Sequence, residues 1–82
     1  MKIVYGNSKR LTNLQTHGLD FADLDLDFFD QAVVVPAKGN RSLAIGPFQG
    51  MIIAAVLFKP LGAEALSIIS LRPASTKERK LL

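Results

Sequence analysis

The stretch Met51-Ile52-Ile53-Ala54-Ala55-Val56-Leu57-Phe58 has no polar face. A strand sends alternate side chains to opposite sides, so a run that is apolar throughout belongs in the middle of a sheet. It is far short of the roughly 20 residues that a membrane span needs. Met1 to Asn7 reach a turn too soon to hold the apolar core of a signal peptide. These features predict a soluble, cytoplasmic protein without membrane contact.

The neighbours of that run supply the rest of the sheet. Gln49-Gly50 reads as a tight hairpin turn before it, and Lys59-Pro60-Leu61-Gly62 as a turn after it. Arg41 to Phe48 then forms the preceding strand, with Gly46-Pro47 marking a bulge or an edge. Ala32 to Val35 is a further strand, joined through the turn Lys38-Gly39-Asn40, and Glu64 to Arg72 is the last. Short turns between successive strands imply an antiparallel meander.

The N-terminal part reads differently. Ile3 to Tyr5 makes a short strand, and Asn7 or Ser8 caps a helix that runs to about Thr16. Its apolar stripe is thin, Leu11 and Leu14, while Lys9, Arg10 and Asn13 occupy other positions. His17-Gly18 is a helix stop. Asp20 caps a second helix with Asp23 at its third position; Phe21, Leu24 and Phe28 share one face and Asp20, Asp23, Asp27 and Asp30 the other. Asp23 to Phe28 also alternates like a strand, but aspartate is among the poorest strand residues, which decides for helix. The whole is a single α+β domain over residues 1–82. It has an antiparallel meander of about four strands, a short N-terminal strand, two N-terminal helices packed on one face and a short C-terminal helix.

Charge is unevenly placed. Five aspartates fall between Asp20 and Asp30 with no cation among them, while the remaining residues hold ten Lys and Arg against only Glu64 and Glu78. If the fold gathers the aspartates on one side, the opposite surface is basic and suits an anionic partner such as nucleic acid. The absence of cysteine excludes disulfides, thiolate zinc sites and a cysteine nucleophile.

The chemistry-bearing residues are few. Histidine is the side chain whose ordinary pKa lies near neutrality, so an acid–base step there falls first to His17, which also suits the last turn of a helix. Asp23-Leu24-Asp25-Leu26-Asp27 starts like a calcium loop, but Phe28 stands where the sharp turn needs glycine and no carboxylate closes the loop. Neither a nucleophile elbow nor a phosphate-cradling glycine loop is present. At the C-terminal end an apolar strand delivers Ser70 and Arg72, Pro73 stops it, and Ser75 with Glu78 makes a capping box. Lys77, Arg79 and Lys80 follow on the helix it opens, expected from Ser75 to the end of the chain. This corner reads either as a solvated basic face or as a place that holds a phosphate on the arginine fork. A simple meander sets Arg41 and Arg72 eight residues of strand apart, about 26 Å, which makes Arg41 a backbone contact at most.

Together these residues resemble the BrnT family of bacterial type II toxins, ribonucleases with a compact RelE-like fold. The resemblance is carried by Tyr5, Lys9, Asn13, His17-Gly18 and Phe21; by Arg41 with Ala44-Ile45-Gly46; and by Ile68-Ile69-Ser70, Arg72-Pro73-Ala74-Ser75 and Lys77-Glu78-Arg79. It implies an RNA-cleaving toxin that inhibits translation and growth, without metal or cofactor. The implied partner is a BrnA-like ribbon-helix-helix antitoxin, in a hetero-oligomer that touches DNA only through the antitoxin and represses its own operon. On this analogy Arg72, helped by Lys9, stabilises charge on phosphorus and His17 moves a proton. Ser70 orients substrate or Arg72, while Arg41, Lys77 and Arg79 hold the RNA backbone. The chain departs from the family's usual charged residues at Gly6, Asn7, Thr16 and Ser67. Those departures open an alternative, a weak or inactive toxin-like module that acts as corepressor with its antitoxin.

Overall fold

In the computed structural model, which describes residues 1–82, the apolar run lies in β4, Ile52–Leu61, at the centre of a five-stranded sheet. β3, Arg41–Phe48, pairs antiparallel on one side of it and β5, Ala65–Pro73, on the other. β2, Val33–Ala37, is the edge beyond β3. β1, Lys2–Val4, is the opposite edge and runs parallel to β5. The order is β1-β5-β4-β3-β2, an antiparallel meander extended by one parallel strand.

Three helices and one tight turn complete the chain: α1, Asn7–His17; a 3₁₀ turn, Phe21–Asp23; α2, Leu26–Gln31; and α3, Thr76–Arg79. Ala54, Val56 and Phe58 of β4 point to one side. There they join Phe21, Leu24 and Phe28 together with Ala44, Phe48, Leu66, Ile68 and Leu71 in the main core. Edge-to-face ring pairs, Phe28 with Phe48 and Phe29 with Phe58, fasten α2 to this side of the sheet. Ala55 and Ile45 point the other way and are fully buried as well. The prediction that the run lies in the middle of the sheet therefore holds. No helix is long and apolar enough to cross a membrane.

Several local expectations need correction. The single helix expected from Asp20 is broken: Leu24 and Asp25 are extended, and α2 starts afresh at Leu26. Aspartate favours helix starts over helix interiors because its carboxylate competes for nearby amides. Asp20 accepts from the Ala22 amide and Asp25 from the Phe28 amide, so each opens its own short turn. α1 begins after Gly6 with no side-chain cap, instead of being capped by Asn7 or Ser8. Its end is as expected: Gly18 takes the left-handed conformation, φ 70°, and donates to the Leu14 carbonyl. α3 is a single turn, shorter than the helix expected from Ser75 to the chain end, although its capping box is complete.

Lys59-Pro60-Leu61 is strand, and the chain turns only after it. Pro60 lies beyond the last β3–β4 pair, Ser42 with Phe58, so no β3 neighbour needs its missing amide. Pro47 likewise lies beyond the last β2–β3 pair, Val33 with Ile45. Of the bulge or edge expected at Gly46-Pro47, the edge is what the register gives; the bulge falls between β4 and β5, where Leu57 faces Ser70 but Phe58 faces Ile68, leaving Ile69 as the extra residue. Gly46 has a packing reason instead: a Cβ on it would meet the Ala32 Cα at 3.1 Å.

Candidate active site

β1 stops at Val4, opposite Ser67. From there onward one edge of β5 has no strand beside it, and its backbone groups need partners of another kind. Asn13 of α1 provides them at Leu71: its Oδ1 accepts from the Leu71 amide at 3.1 Å and its Nδ2 donates to the Leu71 carbonyl at 2.8 Å. A further bond from Nδ2 to the Leu19 carbonyl, 3.0 Å, fixes the loop after the helix. Asn13 is the one buried polar side chain of the protein. It docks α1 against β5 in a single orientation.

That docking determines what stands on either side of Asn13. Lys9 and His17 lie four residues before and after it, on the same face of α1. With Ser8, Thr12, Thr16 and Ile69 they line a cleft of about 260 Å³ between helix and strand. Ile69 is the bulged residue, so the distortion in β5 and the cleft coincide. The cleft thus combines a primary ammonium, an imidazole and three hydroxyls, the groups that suit a phosphodiester and a proton in transit.

Ser70 and Arg72 flank Leu71 with their side chains on the face of β5 away from the main core, across from Leu57 and Ala55. Alternate residues of a strand are about 7 Å apart. Arg72 is not free. Its Nη1 and Nη2 donate to Oε1 and Oε2 of Glu78 at 2.7 and 2.8 Å, a two-bonded fork that ties β5 to α3. Oε1 of Glu78 also accepts from the Ser75 amide at 2.9 Å, which completes the capping box. The guanidinium holds the Glu78 carboxyl at a pKa of about 2, well below its ordinary 4.5, and the carboxylate raises the pKa of Arg72 in return. A second fork removes Arg10 from the free cations: its Nε and Nη2 meet Asp20 at 2.7 and 2.9 Å and bring the Asp20 carboxyl to about 2.

The sequence-predicted residues therefore fall in four places. Lys9 and His17 share the cleft with Ile69, and Ser70 and Arg72 follow Ile69 on β5, so the two groups adjoin along the same stretch of strand. Arg41 is exposed at the start of β3, on the same face as Arg72. Ser42 faces Phe58 and Arg72 faces Ala55, so the two arginines are separated by about half the strand length expected from a plain meander. Lys77 and Arg79 are exposed on α3, and Arg79 lines a separate groove of about 450 Å³ with Met51, Ile52, Ile53 and Pro73. The acidic cluster is not opposite this end. Asp23, Asp25 and Asp27 line a hollow that shares Pro47 and Gly50 with the Arg79 groove. Sequence reading missed the docking role of Asn13 and the second role of Glu78. The spacing of Lys9, Asn13 and His17 by four was the available signal for the first; nothing local signals the second.

Comparison with known proteins gives two findings. The family model described as ribonuclease toxin, BrnT, of type II toxin-antitoxin system matches residues 5–78. The crystal structure of the Brucella abortus ribonuclease toxin BrnT is similar at 58% identity, over 93% of this chain and 99% of that one, with a TM-score of 0.88. Comparison with curated proteins gives no match.

Proposed function

The chain belongs to the BrnT family, the ribonuclease toxins of type II toxin–antitoxin systems, and from that premise we propose that it cleaves RNA at the unpaired edge of β5. The observation that carries this reading is the convergence on Leu71. The Lys9 and His17 cleft is lined by Ile69, and Ser70 and Arg72 lie one and three residues further along the same strand. An RNA strand crossing this edge has a proton-transfer group and several cationic donors around one phosphate.

In this mechanism the substrate's own 2′-hydroxyl attacks the adjacent phosphorus, and the bond from phosphorus to the 5′-oxygen breaks. The products are a 2′,3′-cyclic phosphate and a free 5′-hydroxyl, and no metal is required to supply the nucleophile. His17 moves the proton at the attacking or leaving oxygen. Arg72 and Lys9 stabilise the additional negative charge on phosphorus in the transition state. Ser70 donates to a phosphate oxygen. Arg41, Lys77 and Arg79 hold the backbone on either side, an interaction that salt weakens.

The biological setting follows the same reading. RNA cleavage inhibits translation, and a ribbon-helix-helix antitoxin neutralises the toxin by covering its basic residues and carries the complex to its operon. The test is cleavage in excess EDTA of an RNA oligomer and of its 2′-deoxy-substituted counterpart. Cleavage of the first alone, with cyclic ends, supports the reading; cleavage of both, or none without metal, contradicts it. Because Glu78 already compensates the charge of Arg72, a second reading is a toxin-like corepressor without catalysis. Induction without antitoxin separates the two: growth arrest supports the nuclease, and healthy growth with intact antitoxin binding supports the corepressor.

A further inference from the structure

A guanidinium offers five N–H donors, and in Arg72 their assignment is legible. The end-on pair, one hydrogen each from Nη1 and Nη2, is given to the two oxygens of Glu78. The second Nη1 hydrogen points back at the Pro73 carbonyl, 3.4 Å away. Two donors remain, Nε–H and the second Nη2–H, and they are the parallel pair along the side of the guanidinium. Nε makes no hydrogen bond within the chain, yet no buried side-chain nitrogen lacks a partner, so this nitrogen is not sealed from solvent. The side chain as a whole is 34% exposed, and Glu78 only 17%. The carboxylate is the sheltered member of the pair and the arginine the presented one.

We propose that Glu78 is a positioning residue for RNA cleavage: it holds the Arg72 plane so that the Nε–Nη2 edge meets a phosphate. This rests on the reading of Arg72 as a group that contacts the reacting phosphate. One fork thus serves two oxyanions at once, an internal carboxylate end-on and a substrate phosphate side-on, which a lysine cannot reproduce because its ammonium has no fixed plane. The carboxylate is fixed in turn by the Ser75 backbone amide, which is the mount of the arginine. The other half of the capping box, Ser75 Oγ accepting from the Glu78 amide at 3.1 Å, holds the helix turn. Ser70 stands two residues away on the same face, within reach of another oxygen of a phosphate so placed.

The opposite role, a carboxylate that blocks Arg72 until RNA displaces it, predicts the opposite sign. Removing a negative charge from an RNA-binding surface favours binding, and releasing a blocked arginine speeds cleavage. Removing a positioning group slows the chemical step without weakening binding. The experiment compares the wild type with Glu78→Gln, Ser75→Ala and Arg72→Ala. It reads single-turnover cleavage at saturating enzyme, affinity for the uncleavable 2′-deoxy oligomer, and thermal stability. Glutamine preserves the capping-box pattern while losing the charge.

The expected result is a fall of about tenfold to a hundredfold in the first-order rate of Glu78→Gln, with equal or tighter oligomer binding. Ser75→Ala, which loosens α3 without removing the carboxylate, keeps a rate within about threefold of the wild type, well short of the loss from a misplaced catalytic group. Glu78→Gln at the wild-type rate or faster overturns the positioning role, as does a Ser75→Ala rate as low as that of Glu78→Gln. Arg72→Ala at the wild-type rate overturns the underlying assignment of Arg72 together with this proposal. Arg72→Ala inactive beside a fully active Glu78→Gln overturns the proposal alone.

Discussion

Asn13 uses its side-chain amide as a piece of strand, taking the Leu71 amide hydrogen and returning one to the Leu71 carbonyl. Truncation at this place leaves two backbone groups buried and unpaired, each worth about 1–3 kcal/mol. Asn13→Ala is therefore expected to lower unfolding stability by about 3 kcal/mol, read from the shift in urea midpoint. Asn13→Asp keeps an acceptor, loses both donated bonds and sets a negative charge beside two carbonyls, so its loss at neutral pH is at least as large. Either variant at wild-type stability contradicts the docking role. Glu78 makes a different prediction. Its carboxyl titrates at about 2 in the folded chain against an ordinary 4.5, so the unfolded chain binds the proton more readily in that window. The stabilisation is complete above about 4.5 and is lost as pH falls toward 2. Glu78→Gln lacks it. The stability gap between wild type and variant is therefore expected to close on acidification through this window, while Asp20, depressed from 3.8 to about 2, weakens both alike. A gap that stays constant contradicts the Arg72 pairing.

Among the elements, those specified by local pattern were the legible ones. The apolar run of β4, the Gly39-Asn40 turn with both residues at positive φ, the Gly18 stop and the Ser75 capping box all appear where the sequence places them. The broken second helix was misread because Asp20, Asp23, Asp27 and Asp30 fit a helix face, whereas the Asp25 carboxylate bonds the Phe28 amide and restarts the turn. The β4–β5 register was not legible either. It depends on one bulged residue, Ile69, and on Asn13 meeting a strand that follows it in the chain by 58 residues. The candidate site inherited this limit: His17, Lys9, Ser70 and Arg72 were identified by type, and the meeting of the α1 cleft with β5 at the bulged Ile69 was not. Gly46 offers a test at this scale. The added methyl of Gly46→Ala meets the Ala32 backbone where α2 ends, and the expected cost is about 1–3 kcal/mol. A neutral effect contradicts the close approach of α2 to β3.

Across the whole molecule, opposite charges are neighbours and not poles, since the Arg79 groove and the aspartate hollow share Pro47 and Gly50. Lys77→Glu with Arg79→Glu is expected to weaken both RNA cleavage and antitoxin affinity, and to flatten the dependence of RNA binding on salt. Asp23→Asn with Asp27→Asn, on the adjoining exposed patch, is expected to change either by no more than about 1 kcal/mol. Antitoxin affinity that falls with the aspartate pair and survives the basic pair places the partner on the acidic hollow instead. The central claim is narrower: chemistry occurs at the β5 edge, with His17 moving the proton. Single-turnover cleavage of an RNA oligomer by wild type and His17→Ala, both in excess EDTA, tests it most directly. The account predicts metal-independent cleavage by the wild type and a rate lower by about a hundredfold to ten-thousandfold in the variant; equal rates would contradict it.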